Sequence, residues 1–335
     1  MRKTVSFTKD ATNVFFHILT ACNLSCRHCY INPPQHGTQT LPIETIEEWL
    51  ALFASRSKEA NIIFLGGEPT MHPDLARAIK KARALGYASI TIDTNGYLFH
   101  DILDKVTPAE VDALSFSLDG ATAATNDPLR GKGSWETCVA GIRKGVAKGF
   151  STSLIYTVSG ANLHELDRMP DLLENLGVNH FFIQVLGIRG NSAREEAEEE
   201  GLMRVTRDDW MEVVPKVAEE AARRGIKVTW PKVFLDDGEA FECAGHVADN
   251  LFLFPNGRVY RCPLCEDFPV HSMVIEDGAL KDAPRINETD LFDLSIAEGC
   301  VMNRIIQPGN IVYKENGAPE WRVACCLLKE EITPT

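Results

Sequence analysis

No apolar stretch follows the basic first residues: "MRKTVSFTKDATN" lacks the core of a secretory signal, and no window approaches the ~18 uninterrupted apolar residues of a membrane span. The expectation is a cytoplasmic protein with no membrane partner. Positive charge is also scarce. Lys and Arg number 34 against 47 Asp and Glu, a net charge of −13, so the basic face of a nucleic-acid binder is not expected. Without an oxidising address, the ten cysteines read as ligands, catalytic groups or buried thiols rather than disulfides. One more absence is local. "TACNLSCRHCYINPPQ" holds Cys22, Cys26 and Cys29, and no fourth cysteine follows until Cys138.

What is present is an alternation of strand and helix. "NVFFHILT" (13–20), "NIIFLG" (61–66), "SITIDT" (89–94), "ALSFSL" (113–118), "STSLIYTV" (151–158) and "HFFIQVL" (180–186) read as strands. Between them "LPIETIEEWLALFA" (41–54) places Ile43, Ile46, Trp49, Leu50 and Phe53 on one helical face, with Thr40 as N-cap. "SWETCVAGIRKGVAKG" (134–149) is a helix capped by Ser134 and stopped by Gly149, with Cys138 as a buried thiol. Six strands alternating with helices predict an α/β fold, a parallel sheet with covering helices whose ligands sit at the C-terminal strand ends. The expected units are a core at 1–200, a helical linker at 201–239 and a smaller, loop-rich, cysteine-rich domain at 240–335.

Three thiolates on the loop after the first strand can hold three irons of a 4Fe–4S cluster and leave the fourth open to a chelating amino-carboxylate ligand. Zinc is the plainer rival, with His28 as a fourth ligand. After the second strand, "FLGGEPTMHPDL" offers Gly66 and Gly67 for close backbone approach and Glu68 as an acceptor for an ammonium group. After the fourth, "SLDGATAATNDPLRG" brings Ser117 and Asp119. Cys-x3-Cys-x2-Cys after strand one and Gly-Gly-Glu-Pro after strand two resemble the radical S-adenosylmethionine (radical SAM) superfamily over about residues 13 to 190. The resemblance implies that the sheet curls into a partial (β/α)6 parallel barrel, that Cys22, Cys26 and Cys29 bind the cluster and that Gly66, Gly67 and Glu68 hold the methionyl amino group of SAM. It implies that Ser117 and Asp119 contact ribose or methionyl groups, that Tyr30 neighbours the adenine and that Arg130 faces the SAM carboxylate. It further implies a 5′-deoxyadenosyl radical that takes hydrogen from a substrate, a reductant such as flavodoxin or ferredoxin, and sensitivity to oxygen.

Six cysteines lie beyond residue 240: Cys243, Cys262, Cys265, Cys300, Cys325 and Cys326. "CAGHVADNLFLFPNGRVYRC", with an Asn256-Gly257 hairpin turn, resembles the start of the SPASM or twitch extensions of radical SAM enzymes. That resemblance implies one auxiliary 4Fe–4S cluster on Cys243, Cys262, Cys265 and Cys326, a zinc ribbon being the rival. Cys300 is the spare, a bystander or a hydrogen donor to a substrate radical. Only about twelve residues precede the first expected strand, so no leader-binding domain is expected. The reading is an oxidoreductase or isomerase that oxidises, epimerises or rearranges a small polar metabolite. The alternatives are a maturase acting on a peptide or protein and a non-catalytic iron–sulfur or zinc redox sensor.

Overall fold

The computed structural model describes residues 1–56, 59–198, 202–306 and 311–334. A sheet of thirteen strands forms its frame. Strand β1 (Arg2–Val5) is one edge. The parallel core is β2 (Ala11–His17), β3 (Glu59–Leu65), β4 (Ser89–Thr94), β5 (Ala113–Ser117), β6 (Thr152–Val158) and β7 (His180–Val185), each beside the next in that order. These are the six strands expected from sequence, and the fold is the expected partial parallel barrel. β8 (Lys227–Pro231) adds a seventh, parallel to β7.

Residues 201–239, expected as a linker, therefore belong partly to the barrel. The helix Arg207–Arg223 is capped by Thr206, whose hydroxyl accepts the Asp209 N–H at 3.1 Å. It buries Trp210, Val214, Val217, Ala218 and Ala221 against the barrel. Such a buried stripe is a packing face that a solvated linker lacks.

The C-terminal part is loop-rich, as expected, and reaches both edges of the sheet. After the short β9 (Phe234–Leu235), β10 (Asp249–Leu253) joins β2 in parallel. β11 (Arg258–Tyr260), β12 (Met273–Glu276) and β13 (Ala279–Asp282) extend that side as an antiparallel meander. The β10–β11 hairpin turns at Asn256-Gly257, where Gly257 takes φ +81°, a value that favours glycine. β14 (Arg322–Val323) pairs with β9, and β15 (Lys329–Ile332) lies antiparallel between β8 and β1.

The period of two along the strands assigns the barrel's two faces. Ile62, Phe64, Ile90, Ile92, Leu114, Phe116, Leu154 and Phe181 are at most 1% exposed and pack under the helices. The alternate positions, among them Thr91, Asp93, Ser115, Ser153, Phe182 and Gln184, face an inner cavity. The helix Ile43–Ala54 buries the five residues expected of it, each about 2 kcal/mol of apolar burial before entropy. It starts at Ile43 rather than after Thr40, because Thr40 is held in a bridge to Leu19 and Pro42 is extended. The helix Ser134–Ala147 is capped from a distance. Asp127 accepts the N–H groups of Gly133 (2.6 Å) and Trp135 (3.0 Å), the work expected of Ser134.

Candidate functional site

Two cavities occupy the barrel mouth and interior. The outer, about 350 Å³, is lined by Cys22, Cys26, Cys29, Tyr30, Gly66, Gly67, Glu68, Ser117 and Arg130. The inner, about 530 Å³, lies deeper among the inward positions of the strands. Phe15, Asp93, Ile155, Gln184 and Arg189 line both, so the two are contiguous.

The cysteine loop is fixed at several points. The Cys29 N–H donates to the Cys26 carbonyl at 3.1 Å, and the Arg27 N–H to the Leu129 carbonyl at 2.9 Å. Asn191 holds the far side, its amide side chain on the Cys26 carbonyl (3.0 Å) and its N–H on the Cys29 carbonyl (2.9 Å). The Leu24 N–H points at the Cys22 sulfur at 3.4 Å, and the Asn95 amide lies 3.9 Å from it. Loss of hydration raises the thiols of Cys26, to about 12, and of Cys29, so a cation in the cavity would favour their thiolates, while Cys22 stands exposed at its rim. Among the described residues, no three His, Cys, Asp or Glu side chains converge closely enough to hold a single metal ion. Three spread thiols around one cavity, with N–H groups turned to sulfur, fit a polynuclear iron–sulfur group better than a lone zinc ion.

Gly66 and Gly67 press the loop after β3 onto the chain leading to Cys22. A Cβ on Gly66 would lie 2.7 Å from the Leu19 carbonyl oxygen, and one on Gly67 would run into the Ala21 carbonyl. In the same stretch the Gly67 N–H bonds to the Leu19 carbonyl (3.1 Å) and the Glu68 N–H to the Ala21 carbonyl (3.0 Å).

Glu68 is fully buried. One carboxylate oxygen accepts the Thr70 N–H (3.1 Å), the Thr70 hydroxyl (2.5 Å) and the Thr94 hydroxyl (2.7 Å), while the other accepts the Asn95 N–H (2.7 Å). Burial raises its pKa, and these bonds oppose that rise. Its acceptors are thus occupied in tying the loop after β3 to the loop after β4. Asn95 carries the tie onward, donating to Asn23 at 2.8 Å beside Cys22.

Asp119 has no exposure and lies behind the cavity wall. It meets Arg130 Nε at 2.5 Å and His28 Nε2 at 3.1 Å, and accepts the Thr157 N–H at 2.7 Å. Burial opposes its charge, but Arg130 and His28 outweigh burial and hold its carboxyl well below the usual range. Arg130 lines the outer cavity with its Nε committed to Asp119, and its carbonyl lies 3.9 Å from the Cys26 sulfur. His28, the fourth ligand of the zinc reading, faces Asp119. Ser117 sits on the cavity wall, and Cys138 is buried behind it, its thiol 3.6 Å from the Ser117 carbonyl. Burial raises that thiol to about 12.

Tyr30 bonds His17 Nε2 at 2.6 Å, and the Arg189 guanidinium lies 4.7 Å above its ring. Sequence reasoning passed over Arg189. It reaches from the end of β7 to the carboxylate of Glu266 (2.7 Å) and the carbonyl of Pro263, both in the Cys262–Cys265 segment. Its signal was position: "GIRG" directly follows a parallel strand, where ligand sites gather.

The six distal cysteines line one small pocket between residues 241 and 327. The Cys265 N–H closes a turn on the Cys262 carbonyl at 3.1 Å, and Glu288 accepts the N–H groups of Arg261 (2.6 Å) and Cys262 (3.1 Å). Cys300, read as either a bystander or a hydrogen donor to a substrate radical, lines this pocket and neither large cavity, and its N–H is bonded to the Val323 carbonyl at 3.0 Å. Cys326 lines both the pocket and the inner cavity. No described helix is long and apolar enough to cross a membrane.

Comparison with known proteins agrees with this geometry. Residues 17–173 match the family model of the radical SAM superfamily. The chain is 31% identical over 221 residues to pre-heme d1 synthase of Dinoroseobacter shibae, covering 63% of this chain and 52% of that one. It is 28% identical over 165 residues to a probable GTP 3′,8-cyclase of Saccharolobus solfataricus, covering 49% and 53%. The matches thus span about half the length of these curated relatives. In fold it is similar to SuiB of Streptococcus suis bound to the precursor peptide SuiA, with TM-score 0.63, 13% identity, and 91% of this chain on 72% of that one. It is likewise similar to anSMEcpe with bound AdoMet, with TM-score 0.62, 12% identity, and 93% of this chain on 89% of that one. Enzymes of this superfamily use a 4Fe–4S cluster and SAM. The three-cysteine loop and the glycine pair both lie inside the segment, residues 17–173, that matches the radical SAM family model.

Proposed function

We propose that the protein uses its cluster and SAM to take a hydrogen atom from a small polar metabolite, leading to oxidation, epimerisation or rearrangement. The observation that carries this reading is the pair of contiguous cavities. The cysteine-lined outer one opens into an inner chamber of about 530 Å³, within the range of small-molecule sites. Its walls carry hydroxyls from Thr91, Ser115, Ser153 and Thr229 between aromatic rings, a surface for a polar compound.

Cys22, Cys26 and Cys29 would hold the cluster. With SAM in place it supplies the one-electron cleavage that yields the 5′-deoxyadenosyl radical. The chain's own residues position and seclude. The Gly66-Gly67 backbone and Tyr30 shape the SAM side, with Ser117 on the wall, while the Asp119–Arg130–His28 cluster stiffens the floor under Cys26. Arg189 fastens the C-terminal segment over the mouth and so restricts water. A second cluster on Cys243, Cys262, Cys265 and Cys326 would sit against the chamber through Cys326, with Cys300 and Cys325 beside it. Flavodoxin or ferredoxin would be the reductant.

The test is anaerobic reconstitution with iron and sulfide, followed by dithionite and SAM. Formation of 5′-deoxyadenosine and methionine supports the reading. Their absence from a brown, cluster-loaded protein favours a non-catalytic redox sensor. Modification of a ribosomal peptide, with no small-molecule product, favours a maturase.

A further inference from the structure

The inner chamber contains a cation without a carboxylate partner among the described residues. Lys329, on β15, points into it and donates to the Gln184 side-chain oxygen at 3.2 Å. Among the described residues, no carboxylate lies within ion-pair distance of its ammonium. Buried charges are ordinarily paired, since an isolated ammonium forfeits hydration without compensation. Burial lowers the Lys329 pKa, with the thiols of Cys326 and Cys325 acting in the opposite direction.

The other ionisable groups of the chamber do not offset it. Arg189 is committed to Glu266. His180 bonds Thr229 at 2.8 Å, and burial depresses its pKa to about 4, leaving it neutral. Asp93, buried beside Ser115 and near Glu68, is not within ion-pair distance of Lys329, and burial raises its carboxyl to about 7. In a chain of net charge −13, an ammonium without a carboxylate partner at such a place stands out.

We propose that Lys329 receives an oxyanion of the substrate, a carboxylate or a phosphate, and thereby sets the depth at which the rest of the molecule stands below the cysteine loop. Gln184, which lines both cavities, orients the ammonium. The aromatic walls of Phe15, Phe182 and Phe252 hold the apolar body of the same molecule. The substrate class is therefore an organic anion with an apolar or aromatic portion. The inference deepens the proposed function by naming what the chamber binds, and rests on it only for what then happens to the bound compound.

The experiment is calorimetric titration of the anaerobically reconstituted protein with three probes: 3-phenylpropionate, its neutral amide and phenyl phosphate. The expected result is at least tenfold tighter binding of one or both anions than of the amide. The preferred anion tells carboxylate from phosphate. Lys329→Met should abolish the preference, and Lys329→Arg should keep most of it. Equal binding of acid and amide, no anion binding at millimolar concentration, or a preference that survives in Lys329→Met would overturn the proposal. The wild-type comparison stands even if the Met variant fails to fold. If Lys329 served only as counter-charge to the neighbouring thiols, acid and amide would bind alike. A protein that distinguishes acid from amide but never cleaves SAM would retire the reaction and keep the chamber's chemistry. One that cleaves SAM without distinguishing them would do the reverse.

Discussion

Replacing Glu68 by Gln tests whether this residue is a tie between loops or a free acceptor for a ligand. Both oxygens of the carboxylate accept a backbone N–H, one from Thr70 and the other from Asn95. A Gln side chain keeps the shape but turns one acceptor into a donor. The better orientation leaves its carbonyl facing Thr70 and Thr94 and sets its NH2 against the Asn95 N–H. A buried donor then loses its partner, at about 2 kcal/mol. At roughly 2 °C per kcal/mol for a chain of this length, the melting temperature should fall by about 4 °C. The loss should reach the cysteine loop as well, because the Asn95 side chain binds Asn23 beside Cys22. Iron and sulfide retained after anaerobic gel filtration should drop with the melting temperature. The reasoning is refuted if Glu68→Gln melts within about 1 °C of wild type with full iron content and loses only SAM affinity.

Cys22→Ala, Cys26→Ala and Cys29→Ala should each abolish 5′-deoxyadenosine formation and lower the iron and sulfide bound after anaerobic reconstitution, leaving the share held by the cysteines beyond residue 240. Cys300→Ala should leave hydrogen return to the substrate unchanged, since Cys300 lines neither large cavity; a lost exchange of solvent deuterium into product would contradict this. Gly67→Ala should lower soluble yield or melting temperature sharply, as its Cβ would collide with the Ala21 carbonyl. The pH profile has a worked sign. His36 donates from Nε2 to the Glu266 carbonyl and accepts the Asn32 N–H at Nδ1, and burial depresses its pKa to about 4. The unfolded chain binds that proton below about pH 6.5, so stability should be full above that value and decline toward pH 4. His36→Gln, measured by thermal melting, should flatten this decline.

The barrel was legible because its strands announce themselves locally. "NIIFLG" is a short continuous apolar run and "SITIDT" alternates apolar with polar, and a helical pattern follows each after a short loop. The cysteine triplet and the glycine pair were legible because their spacing is short and their chemistry specific. The pairing of the two chain ends was not. β1 and β15 read "RKTV" and "KEEI", charged segments without an apolar phase, joined across the whole chain by Arg2–Glu330 and Lys3–Glu331. Glu68 and Asp119 were placed near the right loops, yet their carboxylates serve protein partners, a choice made by neighbours remote in sequence such as Asn95 and Thr157. Lys329 lay hidden for the same reason, as one charged letter in a charged run until β15 is set between β8 and β1.

The alternating phase of the strands gives the barrel two independently editable surfaces. Positions 91, 115, 153, 182 and 229 turn to the hollow, while their immediate neighbours grip the surrounding helices. A lineage can exchange the first set to admit a different guest and leave the second set, which keeps the wall standing, untouched. Libraries confined to those five places should yield folded proteins with altered appetites.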